Sequence, residues 1–221
     1  GASNLGTFNY TFRLGATVVG APQTFSNTSS VTITDANSAS PYPSTINVTG
    51  LTGTISKLTV SLNGLNHTWP SDVDMLLVGP AGQKFVILSD AIGSTDWVNI
   101  NYTLDDAAAS AVPSSGTPAS GTFRPTNYTS GDVFNAPAPA APYSDPETAG
   151  TATFANTFNG TNPNGTWSLY IMDDAGGDFG TMSGGWSLTI TPAQPVCCNG
   201  ACTPPVIAAP TVTQPTCASG V

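Results

Sequence analysis

The sequence predicts an all-β chain: a β-sandwich with Greek-key or jelly-roll connections. Three observations predict it. Short stretches alternate apolar and polar residues with period two, the mark of strands buried on one face. The chain carries 23 Gly and 19 Pro but only 8% charged residues, so turns are plentiful and helix-favouring Lys and Glu are scarce. No segment sustains a 3.6-residue apolar period over three turns. In its 221 residues we expect a lead-in over 1–23, one sandwich over 24–191, and a Pro/Cys-rich linker over 192–221.

Each expected strand follows from its own pattern. Val31 and Ile33 flank Thr32, and Ile46 and Val48 alternate with Asn47 and Thr49. "KLTVSLN" sets Leu58, Val60 and Leu62 on one face. "DVDMLLV", residues 72–78, is almost continuously apolar, as a strand covered on both faces would be. The Pro80-Ala81-Gly82 turn joins it to "KFVILSD" as a hairpin. Late in the chain Trp167, Leu169 and Ile171 alternate with polar or intermediate residues, and Trp186, Leu188 and Ile190 alternate with Ser and Thr. These belong to the core.

Residues 104–150 break the pattern. The stretch is too rich in Ala and Pro for regular strands, and a loop this long is expected to be functional or packed on a sheet. Phe123, Tyr128, Phe134 and Tyr143 are its candidate anchors. From Pro192 onward the composition is that of a semi-rigid, extended linker. All four cysteines, Cys197, Cys198, Cys202 and Cys217, fall there, so no disulfide holds the sandwich. Their spacing lacks paired C-x-x-C units and any nearby His, which argues against zinc and for a small disulfide-closed loop.

Charge excludes several partners. With 4 basic against 13 acidic residues there is no basic patch to displace phosphate counterions, so nucleic acid is not expected. Electrostatic docking on anionic membranes is excluded on the same ground. No apolar run approaches the roughly 18 residues a membrane helix needs, so no membrane insertion is expected. Low charge and Thr- and Asn-rich strands point to a secreted or cell-surface location.

Laid in order, "YPSTINVTG", "HTWPSDVDMLLVGPAG" and "FNGTNPNGTWSLYIMDDAGGDFGTMSGGWSLTI" resemble the P domain (Homo B domain) of subtilisin-like proprotein convertases. The matching elements are His67-Thr68, Asp72-Val73-Asp74, Pro80-Ala81-Gly82, Asn164-Gly165-Thr166-Trp167-Ser168-Leu169, the Asp173–Gly180 turn and Trp186-Ser187-Leu188. The resemblance implies a jelly roll of eight or nine strands with no catalysis of its own. It implies a module that stabilises or presents neighbouring domains of the same polypeptide, a subtilisin-like peptidase among them. The long Ala/Pro-rich insert departs from that pattern. So does the tail, which looks like linkers between repeat modules of secreted bacterial proteins.

His67 is the single imidazole, with Ser71, Asp72 and Asp74 close behind it. A triad needs non-local geometry and an oxyanion hole, and no nucleophile elbow surrounds Ser71 or Ser183. His67 is therefore expected to hydrogen-bond its turn and pack beside Trp69. Paired carboxylates across a glycosidase cleft cannot be placed from linear sequence. Calcium is the stronger candidate, because it takes carboxylate and carbonyl oxygens from separate loops and related jelly rolls often hold it. Candidate ligands are Asp72 and Asp74, which period-two alternation puts on one face, then Asp90 and the group Asp173, Asp174 and Asp178. Trp69 and Trp97, in turn-like contexts, are the rings available to stack on a sugar, although covering the core is the commoner role. The leading expectation is thus a non-catalytic accessory module with structural calcium; the alternative is a carbohydrate- or matrix-binding adhesion module.

Overall fold

Residues 16–196 are described by this computed structural model, and they form thirteen strands and one short helix. One sheet has eight strands. Its path runs β1 (Ala16–Val19), β13 (Trp186–Val196), β5 (Thr54–His67), β12 (Gly180–Met182) and β3 (Val31–Ile33), with β2 (Gln23–Asn27) also on β13, β8 (Trp97–Leu104) on β5 and β9 (Gly121–Phe123) on β8. The other sheet has five, in the order β10 (Thr126–Asn127), β7 (Lys84–Ser89), β6 (Val73–Val78), β11 (Gly165–Asp173) and β4 (Ser44–Val48). The all-β sandwich expected from the sequence is present. Strands outnumber the expected eight or nine because short pieces within 104–150 and before residue 24 also pair.

The alternating residues face inward as the period-two argument requires. Leu58, Val60 and Leu62 of β5, Trp167, Leu169 and Ile171 of β11, and Trp186, Leu188 and Ile190 of β13 share one buried cluster between the sheets. Each fully buried aliphatic side chain contributes about 1.5–3 kcal/mol, so this cluster is the main stabilising term. The indole N–H groups are not stranded there. Trp186 Nε1 donates to Ser44 Oγ at 2.9 Å, and Trp167 Nε1 to the Pro163 carbonyl at 2.9 Å.

β6 and β7 pair antiparallel across the Pro80-Ala81-Gly82 turn, and Gly82 takes a φ of +85° there. The continuous apolar run of β6 has a direct cause. Its second face, with Val86 of β7 and Tyr170 and Met172 of β11, forms a separate cluster with Leu76, closed by Phe134. Tyr143 packs on that cluster and meets Phe134 edge-on with ring centroids 5.4 Å apart. Phe123 and Tyr128 pack against the main core instead. The 104–150 stretch is therefore strapped along the sheet edge, where Ser144 hydrogen-bonds Lys84 and Val86 and β10 runs parallel to β7.

A helix that periodicity did not reveal, α1 (Phe154–Phe158), follows the strap. Thr153 and Asn156 form a reciprocal capping box, and Phe154 and Phe158, one turn apart, both enter the core. Two boundaries also differ from the linear reading. β13 continues to Val196 through Pro192, and β1 begins at Ala16. Cys197, Cys198, Cys202 and Cys217 lie outside the described residues.

Candidate metal centre

The end of the sandwich where β6 starts and β7 finishes gathers three carboxylates. Asp74 is the second residue of β6, Asp90 follows the last residue of β7, and Asp132 arrives from the strap. One carboxylate oxygen from each lies within 4.8 Å of the other two. Asp74 is 2% exposed, and the other two are half-buried. β6 and β7 are antiparallel neighbours, which brings the start of one beside the end of the other. Asp90 has a φ of +53°, a left-handed turn that an Asp tolerates and that bends the chain back at this point.

Ser89 sits at the middle of the group. Its Oγ is 2.6 Å from Asp74 Oδ1, 3.1 Å from Asp132 Oδ1 and 3.2 Å from Asp90 Oδ2. One hydroxyl proton serves one acceptor at a time, so three carboxylates compete for it. Asn127 Nδ2, in β10 beside Ser89 of β7, donates to Asp132 Oδ2 at 2.8 Å and so positions Asp132 within the strap. No Lys or Arg joins the group among the described ion pairs. Burial, opposed by the Ser89 hydrogen bond and reinforced by neighbouring carboxylates, pushes Asp74 up to about 8. Burial likewise lifts Asp132 to about 6 and raises Asp90 above the usual carboxylate range. A pocket of buried acids with too few positive partners needs protons or a cation.

The donor set fits a hard cation. The atoms that face one another are oxygens, from three carboxylates and the Ser89 hydroxyl, and neither His nor Cys is present to favour a softer metal.

The remaining candidate ligands separate from this group. Asp72 is not part of the carboxylate group around Asp74: it ends a 3-10 turn, Pro70–Asp72, so strand alternation begins only at Val73 and the period-two argument does not reach it. Its carboxylate meets Ser71 Oγ at 3.3 Å, and its carbonyl accepts from the Asp174 N–H at 3.0 Å. Asp173 is buried at the end of β11, where Oδ2 meets His67 Nε2 at 3.1 Å and Oδ1 accepts from the Ala175 N–H at 3.2 Å. Burial raises its carboxyl, and those hydrogen bonds oppose the rise. Asp178 accepts from Thr68 Oγ1 at 2.8 Å. Asp174 is exposed, and its charge reaches Asp72, Asp74 and Asp90. Asp132 is the ligand candidate that sequence reasoning missed. Its one signal was an acid after Gly131, two residues before the anchor Phe134, inside an otherwise Ala- and Pro-rich stretch.

His67 closes β5 as a 2% exposed strand residue rather than a turn residue. Its Nδ1 accepts from the Trp69 N–H at 3.2 Å, which places the proton on Nε2, facing Asp173. Both ring nitrogens are thus engaged, and the imidazole has no free position to activate a serine. Gly180 opposite it is required: a Cβ there would stand 2.0 Å from the Asn66 carbonyl and 2.6 Å from His67 Cδ2. Trp97 is not an exposed sugar platform. It is 2% exposed, and its Nε1 donates to Tyr102 Oη at 3.1 Å inside the core. The cause is its pairing with His67, which makes Trp97 the first residue of β8 rather than a turn residue. Trp69 remains 44% exposed.

No family model matches the chain, and no curated protein matches it. Among solved structures, it is similar to the serine protease of Aeromonas sobria in complex with its chaperone, at 17% identity and a TM-score of 0.41. That alignment covers 83% of this chain and 28% of the protease chain. The protease on its own gives 16% identity and a TM-score of 0.37, over 82% of this chain and 28% of that one. The chain thus spans less than a third of the length of the structures it resembles.

Proposed function

We propose that the chain is a non-catalytic, P-domain-like β-sandwich module of a secreted or cell-surface protein, which stabilises or presents its neighbouring domains. In it, Asp74, Asp90 and Asp132 hold a structural calcium ion. The observation that carries this reading is the meeting of three carboxylates from β6, the end of β7 and the strap around one serine hydroxyl. An ion there supplies positive charge between elements that otherwise repel. Asp74 and Asp90 fix the sheet side, while Asp132, steadied by Asn127, fixes the strap. The P-domain-like motifs support the accessory role, and the engaged nitrogens of His67 argue against hydrolysis.

Titration calorimetry with calcium chloride tests the ion directly. One bound ion per chain is expected, lost in Asp74→Asn. The accessory role is tested by comparing folding yield of the parent protein with and without residues 16–196. Equal yields of folded neighbours would contradict it.

A glycan- or matrix-binding role needs exposed rings. Burial removes Trp97 from consideration, and Trp69 is the sequence-identified ring left to serve it.

A further inference from the structure

Three of the large apolar side chains that remain exposed belong to one end of the eight-stranded sheet. They are Trp69 at 44%, Val98 at 71% and Phe179 at 70% exposure. Val98 and Phe179 are brought to one cavity by register. His67 pairs with Gly180 on one side and with Trp97 on the other, so the residues flanking those pairs line one stretch of the sheet. Phe179 and Val98, with Asn66, Thr68, Asp96 and Thr181, line a shallow cavity of about 330 Å³, and Trp69 follows Thr68 directly. Isolated exposed apolar residues are ordinary, whereas Phe179 and Val98 share one cavity.

Charge decides what it would recognise. Asp96 is exposed on the cavity wall, and Asp178, beside Phe179, is held at the rim by Thr68. Asp72 and Asp174 lie next to Trp69 through the backbone hydrogen bonds of Asp72 to Trp69 and of Asp174 to Asp72. None of these four acids has an ion-pair partner among the described residues. The described cations are committed elsewhere: Lys57 to Asp105, Lys84 to the Ala140 carbonyl, and Arg124 to Glu147. A chain of net charge −9 therefore presents exposed rings inside an uncompensated acidic rim.

We infer that this end of the sheet docks a basic segment of a protein partner, one that alternates Lys or Arg with apolar residues. An apolar side chain enters the cavity between Phe179 and Val98. The cationic groups meet Asp96 and Asp178 and lie over the faces of the exposed rings, where the ring quadrupole attracts positive charge. Anionic lipid and nucleic acid are repelled by the same field, and a neutral sugar gains nothing from it. The inference rests on the accessory-module reading for its partner, a neighbouring domain, and does not depend on the ion.

The test is a tryptophan fluorescence titration of the full chain with a hexapeptide alternating Arg and Leu. Its Glu and Leu counterpart and soluble hexose oligomers are run in parallel, each in calcium and again in EDTA. Trp69→Phe assigns the signal. Binding by the Arg peptide alone is expected. It should weaken about tenfold in Phe179→Ser, the scale for truncating an aromatic anchor, and weaken again in Asp96→Asn and at high salt. Both substitutions are at exposed positions, and an unchanged circular dichroism spectrum confirms folding. Equal binding of the Arg and Glu peptides, binding of the sugars instead, or an unaffected Phe179→Ser would overturn the inference. Peptide binding that persists while calcium binding fails would count against the ion reading alone.

Discussion

Asp74 on β6 and Asp132 in the strap, far apart in sequence, share one hydroxyl: Ser89 Oγ lies 2.6 Å from the first and 3.1 Å from the second. Two carboxylates brought this close are mutually repulsive unless protonated or bridged by a cation. The relationship turns the strap from a passive connection into an element whose attachment depends on charge.

In the proposed calcium site, Asp132 is the ligand that ties the strap to the ion. Asp132→Asn keeps an acceptor for Ser89 but deletes one negative charge. The variant is expected to bind calcium at least tenfold more weakly, a loss of about 1.4 kcal/mol or more. Without calcium it should be as stable as the parent or more so, because a repulsive charge is gone. Calorimetry and chemical denaturation check the two halves separately.

The acids also predict a pH dependence with a definite sign. Asp132, raised to about 6, and Asp74, raised to about 8, bind protons in the folded state that the unfolded chain has already released. Their contribution to stability is fully present below the unfolded carboxyl range near pH 4 and is lost as pH rises through about 6 and then 8. In EDTA, the melting temperature should fall from pH 5 to pH 8.5 on account of these groups. Calcium, which takes the place of the protons, should flatten the fall and release protons on binding, with affinity rising over that range. Melting curves in both conditions measure it.

His67→Ala leaves the Asp173 carboxylate buried without its imidazole donor. Losing a hydrogen bond to a buried charged acceptor costs about 1.5–3 kcal/mol. We expect that loss in urea denaturation, smaller in His67→Gln, whose amide can still donate. Peptidase and esterase assays should read zero for the parent and the variant alike.

Gly180→Ala tests the close approach of β12 to its antiparallel neighbour β5. A methyl group 2.0 Å from a backbone carbonyl cannot be absorbed by a side-chain rotation. The strand must shift, and a stability loss of more than about 2 kcal/mol is expected, comparable with overpacking of a core. Circular dichroism melting reads it.

How much of this was legible in the sequence depends on whether the signal is local. Leu58, Val60 and Leu62, or Trp186, Leu188 and Ile190, sit two residues apart, so alternation alone assigns their face. The continuous apolar run from Val73 to Val78 announced a second covered face, although not that Phe134 would be the lid. Alternation could not pair Asp72 with Asp74, because one 3-10 turn ends at Asp72 and the strand starts after it. Asp132 escaped because its neighbours in space, Asp74 and Asp90, are more than forty residues away in sequence, and loops assemble such sites without a spacing rule. Trp97 looked like a turn residue until its pairing with His67 buried it.

Hydrogen exchange should resolve the strap from the sandwich. On chelation, amides around Asn127, Thr148 and Ala149, which are hydrogen-bonded between the strap segments, are expected to exchange faster. Those of β5 and β13 should keep their protection. Uniform acceleration everywhere would instead indicate that the whole sandwich loosens as one unit.

The most direct test of the central claim is thermal unfolding of the chain in calcium and in EDTA, beside Asp74→Asn. An ion that binds only the folded state adds about 2.7 kcal/mol at a hundredfold excess over its dissociation constant, which for a domain of this size is a rise of about 5–10 °C. The account predicts that rise for the parent and its loss in the variant. An identical melting temperature with and without saturating calcium would contradict it.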